Sequence, residues 1–462
     1  MNVEAPNIIL ITIDSLRYDH LGCYGYPRNT SPNIDALATR GVKFLQAISN
    51  GGHTPAAFPS ILVSALPTLN RAEGRAILQH NITLAETLRN SDYQTAAFHS
   101  NPQVSGFYGY SKGFEMFDDG LRQFGPNELR FKIRTMMGRH DSLAAKAMHK
   151  ASRLLRPLLS RAWGRAIISA EEITSKAMTW LETYKEKYFL WLHYMDVHHP
   201  YMPPAKYLSQ FYDQPVSRGH MKALWQKTVT KPSKLSPSEV QLLITLYDAD
   251  IKYTDEFIGL LLDKLGNYLA DTIVIVTADH GDEFGEHGRF GHRSVYDALL
   301  RVPLIMAGPG IKGGTLVKHQ VSLIDLPPTI MDFIGITSPK SFRGQSLLPL
   351  IRGGAKTKEY TISTQFNPNS EGIQISYRSP GWKYIRTESL DGSGLVLKEE
   401  VYNLTNDPGE TKNLLSIDTE EVKNFEEEAL DKLSQFKQLK VEEATNYEKQ
   451  KIKAKLSKIR KP

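Results

Sequence analysis

Three features of the 462-residue chain predict an α/β fold with a doubly wound, mainly parallel sheet flanked by helices and a smaller C-terminal antiparallel-sheet α+β subdomain. Two apolar runs, Asn7–Asp14 ending in its carboxylate and Ile273–Val276 leading into Asp279-His280, have the composition of parallel strands buried on both faces. Strand-like and helix-like segments alternate between them, as βα units require. From about residue 356 the pattern changes to short strands separated by Gly and Pro turns. The expected division is 1–355 for the larger domain and 356–462 for the small-sheet subdomain with a charged helical tail.

Taken in order, Asn7–Asp14 is the first strand, followed by a turn and short helix through Cys23. Ser31 is positioned to cap a helix with Pro32 in its first turn and Gly41 at its end. Val42–Ser49 is the next strand. Asn50-Gly-Gly-His-Thr54-Pro then turns into a helix. Thr83–Asn90 is a helix, Gln94–Asn101 a strand ending in polar groups, Ile173–Tyr184 a helix and Tyr188–Met195 a buried strand. That strand runs into Asp196-Val-His-His-Pro-Tyr-Met-Pro-Pro204, where the prolines exclude helix. Ser236–Leu265 is a long helix, Val302–Gly308 a strand, and Asp325–Ile334 a helix. Four short strands begin near Thr361, Gly372, Trp382 and Glu399, and Ala429–Pro462 is a Lys/Glu-rich surface helix that frays.

The composition, 41% hydrophobic and 23% charged, is that of a globular chain, and the net charge is +6. The basic excess clusters between Glu128 and Arg165, in an apparent helical insertion over 128–170. Arg130, Lys146, Arg153, Arg156 and Arg161 alternate there with an apolar stripe, and Asp141 is almost the only acid. A solvated helix packed on the domain is the preferred reading over a surface for an anionic substrate, membrane or partner. The single cysteine, Cys23, excludes an intrachain disulfide and fits a reducing compartment. The N-terminus reads as neither signal peptide nor membrane span, so a soluble, cytoplasmic protein is expected, with no nucleic-acid partner.

Ligands bind at the carboxyl ends of strands in open α/β sheets. Strands that deliver Asp14 and Asp279-His280 there make these three residues candidate ligands of one divalent cation. A metal site needs a group to activate, and Thr54 at a helix N-terminus is the candidate. Its hydroxyl lies at the positive end of the helix dipole, near free amides. On local sequence alone Thr54 also reads as a plain N-cap.

Beyond these residues, the chain resembles the sulfatase family of the alkaline phosphatase superfamily. The matching pieces are Asn7–Gly25, Thr54–Pro67, Gly113-Phe-Glu-Met-Phe, Asp196-Val-His-His-Pro-Tyr, Thr277-Ala-Asp-His-Gly through Gly285-Glu-His-Gly, Tyr296–Pro303, Asp325-Leu-Pro-Pro-Thr-Ile and Val401-Tyr-Asn-Leu-Thr-Asn-Asp-Pro-Gly-Glu. They span nearly the whole chain in family order. The resemblance implies Asp14, Asp279 and His280 as metal ligands, with Ca2+ the family's usual ion and Mn2+, Mg2+ or Zn2+ as alternatives. It places His198 at the substrate histidine, His99 and Asn101 near a sulfate-contacting Lys-x-His pair, and His287 and His292 near the late His and Lys positions. His198 or His287 is the expected proton donor to the leaving oxygen.

The departures are specific. Thr54 stands where the family carries the Cys or Ser that becomes formylglycine, Phe58 replaces the Arg of that motif, and Ser15 replaces a second Asp. No formylglycine is therefore expected. A direct Thr nucleophile also resembles the superfamily's phosphodiesterases and phosphoglycerol transferases. The expectation is a metal-dependent hydrolase of sulfuric or phosphoric esters, with Thr54 as a metal-bound nucleophile and an anionic, glycan- or lipid-linked ester as substrate. Phosphodiester cleavage, phosphoglycol or phosphoethanolamine transfer, and a non-catalytic sulfatase-like protein remain as alternatives.

Overall fold

The computed structural model describes residues 5–120, 168–184, 187–354, 360–366, 372–391 and 393–459. Nearly all of the basic 128–170 segment lies outside them. The main sheet contains β1 (Asn7–Ile13), β2 (Val42–Ile48), β3 (Gln94–His99), β4 (Met116–Asp118), β5 (Tyr188–Tyr194) and β6 (Thr272–Ala278). A two-stranded hairpin, β7 (Glu283–Phe284) and β8 (Phe290–Gly291), follows β6. The sheet is completed by β9 (Arg301–Val302), β10 (Leu304–Ala307) and β11 (Thr315–Ser322), in the order β11-β2-β10-β6-β1-β5-β3-β4 with β9 beside β2.

The centre of this sheet is parallel. β1 pairs with β6 on one side and β5 on the other, and β5 with β3. Every residue of β1, β5 and β6 is buried, which is why these strands are unbroken apolar runs rather than alternating ones. Helices flank the sheet in two groups. α1 (Pro32–Thr39), α5 (Ala170–Thr183) and α7 (Pro237–Leu265) form one. α2 (Thr54–Val63), α3 (Arg71–His80), α4 (Leu84–Arg89) and α8 (Leu326–Phe333) belong to the other, and α6 (Arg218–Thr230) packs on α7. Ser236 and Thr83 each close a capping box, with Glu239 and Glu86 respectively, which sets the starts of α7 and α4. Among the described residues no helix is long and apolar enough to cross a membrane.

The structure corrects several sequence expectations. Ser31 occupies the N-cap position, but its hydroxyl bonds the Asp35 carboxylate and accepts from the Gly22 amide instead of capping the first turn. Val302–Gly308 is not one strand. Pro303 has no N–H to donate, the run divides into β9 and β10, and β10 lies antiparallel to both β6 and β2. The edge strand β11 and helix α6 have no counterpart in the sequence reading, because both are largely polar and half exposed.

The C-terminal part is a four-stranded antiparallel meander, β12 (Thr361–Phe366), β13 (Ile373–Ser379), β14 (Trp382–Glu388) and β15 (Val396–Asn403). The terminal helix α9 (Glu420–Ile459) starts nine residues earlier than expected and is not merely a surface element. Val422, Phe425, Ala429, Leu433 and Phe436 form a buried stripe at helical spacing, packed with Ile375, Tyr377 and Tyr384 of the meander.

Two sets of contacts tie this meander to the main sheet. The Gly52 amide donates to the Thr364 carbonyl at 3.1 Å, and the Thr364 amide to the Asn50 carbonyl at 3.1 Å. So β12 holds the loop that enters α2. Deeper in, Lys383 Nζ lies 2.9 Å from Asp297 and 2.8 Å from Glu410, while Arg378 pairs with Asp297 at 2.8 Å. All four are buried. Removing one cation from such a group leaves uncompensated charge in the interior. Lys383→Met is therefore expected to cost about 3–5 kcal/mol of stability in chemical denaturation. A cost below about 1 kcal/mol would show that the network does not hold the two parts together.

Candidate metal centre and nucleophile

The register of the central strands assembles the site. Ile13 lies opposite both Ala278 and Tyr194, so β1, β6 and β5 end level with one another. The next residues, Asp14 and Asp279-His280, emerge side by side at the carboxyl edge and are fully buried. One donor atom from each of Asp14, Asp279 and His280 lies within 4.8 Å of the others. His280 Nε2 is 3.4 Å from Asp279 Oδ2 and 3.7 Å from Asp14 Oδ1. Its Nδ1 contacts the Gly281 carbonyl at 2.8 Å, which selects the tautomer with the Nε2 lone pair facing the carboxylates.

Surrounding groups fix both acids. Asn101 Nδ2 donates to Asp14 Oδ2 at 2.8 Å, and His193 Nε2 lies 3.3 Å from the same oxygen. Ser15 has φ 61°, in the left-handed region, where a non-glycine residue is strained by roughly 1–2 kcal/mol. That turn lets its hydroxyl donate to Asp14 Oδ1 at 3.0 Å and its amide reach Asp279 Oδ1 at 3.4 Å. The Ser15 carbonyl is held in turn by Tyr247 OH at 2.8 Å.

The electrostatics are those of a cage short of positive charge. Burial pushes the Asp14 carboxyl up, but His198, His193 and His280 outweigh it and hold Asp14 well below the ordinary carboxylate range. Burial and then the negative charge of Asp14 raise Asp279. His280 is raised despite burial, because Asp279 and Asp14 favour its cationic form. Asp279 Oδ2 is buried without a hydrogen-bond partner. Two adjacent carboxylates, an orphaned oxygen and an inward imidazole lone pair fit a divalent cation.

Thr54 closes the cage. Its Oγ1 lies 3.4 Å from Asp14 Oδ2 and 3.4 Å from His280 Nε2. It is the first residue of α2 rather than its N-cap, which is His53. The helix end offers fewer donors than expected: Pro55 has no N–H, and the Ala56 and Ala57 amides both bond the His53 carbonyl. Only the Thr54 amide stays outside the helix's own bonding. The Gly51-Gly52 pair serves close backbone contact. A Cβ on Gly51 would fall 2.5 Å from Ala56, and one on Gly52 2.1 Å from the Ser294 carbonyl.

The remaining expected residues divide. His198 and His292 reach the site's border, the His292 ring tilted against both neighbours with its centroid 4.6 Å from that of His280 and 5.0 Å from that of His198. Asn101 joins the cage itself. His99 is buried one strand away, its Nδ1 accepting from the Asn101 amide at 3.2 Å. His287 is engaged elsewhere: Nδ1 lies 3.2 Å from Glu283, Nε2 3.2 Å from the Glu410 carbonyl, and the ring stacks on Tyr296 at 3.6 Å. These contacts place it in the joint between the sheet edge and the C-terminal part. His193, Ser15, His199 and Asp282 were not singled out from sequence as parts of the site. His193 reads as core inside an apolar strand, whereas Asp282, three residues after Asp279, carried a visible signal.

A family model described as Sulfatase matches residues 6–336, and one described as N-sulphoglucosamine sulphohydrolase, C-terminal, matches residues 285–439. Arylsulfatase K of Homo sapiens is 26% identical over 457 residues, covering 89% of this chain and 79% of that protein. A solved structure described as in complex with its substrate D-glucosamine-2-N,6-O-disulfate aligns with TM-score 0.67 at 20% identity, covering 96% of this chain and 99% of that one. Phosphonate monoester hydrolase of Agrobacterium radiobacter aligns with TM-score 0.69 at 19% identity, covering 94% and 96%. At such identities the structural matches speak for the fold, whereas the first family model takes in both strand-end acids, the α2 helix and the border histidines. The chain belongs to the sulfatase family of hydrolases.

Proposed function

We propose that this chain hydrolyses sulfuric or phosphoric esters with unmodified Thr54 as the attacking group. The observation that carries the reading is the position of Thr54 Oγ1, 3.4 Å from both Asp14 Oδ2 and His280 Nε2 in a buried cage. A hydroxyl so placed needs no conversion to an aldehyde hydrate to face an ester. Asp14, Asp279 and His280, with Thr54, would hold a divalent cation. Two carboxylates, one imidazole and one hydroxyl favour Mn2+ or Zn2+ over Ca2+, which takes six to eight oxygens. When bound, such an ion supplies Lewis-acid polarisation of an ester oxygen and lowers the pKa of a coordinated hydroxyl.

The chain's own residues set the geometry of attack. The Thr54 hydroxyl faces Asp14 Oδ2 and His280 Nε2, and the start of α2 fixes the oxygen in place. As the Oγ1 bond to sulfur or phosphorus forms, the bond to the leaving oxygen breaks, and the proton lost from Oγ1 departs on the alcohol. Water then cleaves the Thr54 ester, restoring the hydroxyl and releasing the inorganic anion. An acceptor alcohol in place of water would make the same site a transferase. His198 and His292, at the border, are assigned to the outer ester oxygens. His287 is left out, because both its ring nitrogens are engaged.

Two outcomes test this reading. Thr54→Ala should lower turnover of an aryl sulfate or aryl phosphate by at least ~10³-fold with the fold intact, while Thr54→Ser keeps part of it. Substantial activity in Thr54→Ala would mean that water attacks the ester directly. Asp279→Asn removes one of two repelling buried carboxylates. The metal-free variant should therefore melt no lower than the metal-free parent, yet lose the rise in melting temperature that Mn2+ or Zn2+ gives the parent. An undiminished rise would exclude Asp279 as a ligand.

A further inference from the structure

The loop that carries His198 is held at both ends by carboxyl groups that the chemistry at Thr54 does not use. Asp196 opens the loop two residues after β5, and Met202 closes it. Between them lie His198 and His199, and Tyr201, whose OH donates to Asp282. Asp250 stands in the middle of α7, 3% exposed, and its Oδ2 accepts the Met202 amide at 3.0 Å. At the other end the Ala170 amide, at the start of α5, donates to the Asp196 carboxyl. Asp196 is only half-buried as a residue, yet its Oδ2 is closed off from solvent and has no hydrogen-bond partner.

The elements around the two acids supply little positive charge. Among the described residues, the cation that bears on Asp250 is Arg218, exposed at the first turn of α6, and it offsets burial only in part. Tyr194 of β5 and Tyr253 of α7 face Asp196 with their phenols, which burial raises above their ordinary range and keeps neutral. Glu171 of α5 adds a further acid beside Tyr253. Burial pushes the Asp196 carboxyl up to about 7. Burial, and then the charge of Asp196, raises Asp250 well above the carboxylate range. Two such acids lose their protons in steps, the first loss opposing the second.

We propose that Asp196 and Asp250 are positioning residues that pin the 196–202 loop to α7 while both are protonated, and that the loop lifts from α7 when Asp196 ionises. A neutral carboxyl can stay in the closed-off position of Asp196, whereas an ionised one without a partner is driven towards water. In the lifted loop Asp196 is solvated and ionises near the ordinary value of about 3.9. The pinned form is therefore favoured most in acid. Its advantage shrinks as pH rises from there and reaches its minimum above about 7, where the pinned form has lost the proton too. The pinned loop keeps His198 at the border of the site, so the grip on an anionic ester weakens over the same interval. That consequence for the substrate rests on the ester-hydrolase reading; the motion of the loop does not.

The test is amide hydrogen exchange of the full chain at pH 5 and pH 7.5, corrected for the intrinsic exchange rate. Within 200–204 only Tyr201 and Met202 have an amide, so a peptide over this stretch reads the pinned end of the loop. Protection of Met202 in the parent should fall at least ~10-fold between the two pH values, as release of one proton on opening requires. Asp196→Asn, which is neutral at both, should lose most of that fall. Asp250→Ala should be unprotected at Met202 at either pH, and Asp250→Asn, which keeps an acceptor for the amide, should restore protection. The KM for an aryl sulfate, whose charge is constant over this range, should rise at least ~3-fold more in the parent than in Asp196→Asn. Constant Met202 protection in the parent would by itself overturn the clamp, whether or not a variant folds, and so would an undiminished fall in Asp196→Asn. Equal KM profiles with the expected protection would overturn its link to the site. Protection is read without turnover, so its failure is distinct from residual activity in Thr54→Ala, which would overturn the nucleophile alone.

Discussion

The parallel pairing of β1 with β6 is the constraint on which the site depends. Asn7 to Ile13 run in unbroken register against Thr272 to Ala278. A shift of one residue would reverse the face of every side chain in a strand buried on both sides. The same register that buries Ile8–Leu10 and Ile273–Ile275 brings Asp14 and Asp279 together, although they are separated by most of the chain. β5, paired on the other side of β1, adds His193 beneath Asp14. Core packing and site geometry are thus set by one alignment.

That alignment concentrates charge where water is excluded. Desolvating a single ion costs several kcal/mol even after relaxation, so buried charges persist only with partners. Asp14 has them: Asn101, Ser15, His193 and His280 all approach its two oxygens. Asp279 has fewer and keeps an orphaned oxygen. The asymmetry explains why the two carboxyls are pushed in opposite directions, and why a cation between them completes the structure. Strain at Ser15 and the close glycine contacts at Gly51 and Gly52 are local costs of bringing backbone to this edge. The β12 contacts with Asn50 and Gly52 carry the constraint outward, so the C-terminal meander helps to position the start of α2.

Much of this was legible in the sequence, because buried parallel strands announce themselves as β-branched apolar runs and their ends as abrupt polar breaks. Asp14, Asp279, His280 and Thr54 come together in the structure, and the switch to an antiparallel meander near residue 360 falls as expected. What was not legible depends on neighbours that a linear pattern does not show. The antiparallel direction of β10 leaves no trace in composition. His193 reads as core, because alternation says nothing about which buried ring meets an acid. Asn101, at the end of β3, turns its amide onto Asp14, a contact that no linear pattern shows. His287, within the same run as Asp279, is drawn away by Glu283 and the Glu410 carbonyl.

The account turns on whether Thr54 itself is the attacking group. The most direct measurement is acid quench of the metal-loaded protein during turnover of a slow aryl phosphate, followed by peptide mapping by mass spectrometry. A phosphoryl adduct on the peptide containing Thr54, with no aldehyde at that residue, is the predicted result. An adduct on a different residue, or steady turnover with Thr54 unmodified at every quench time, would contradict it.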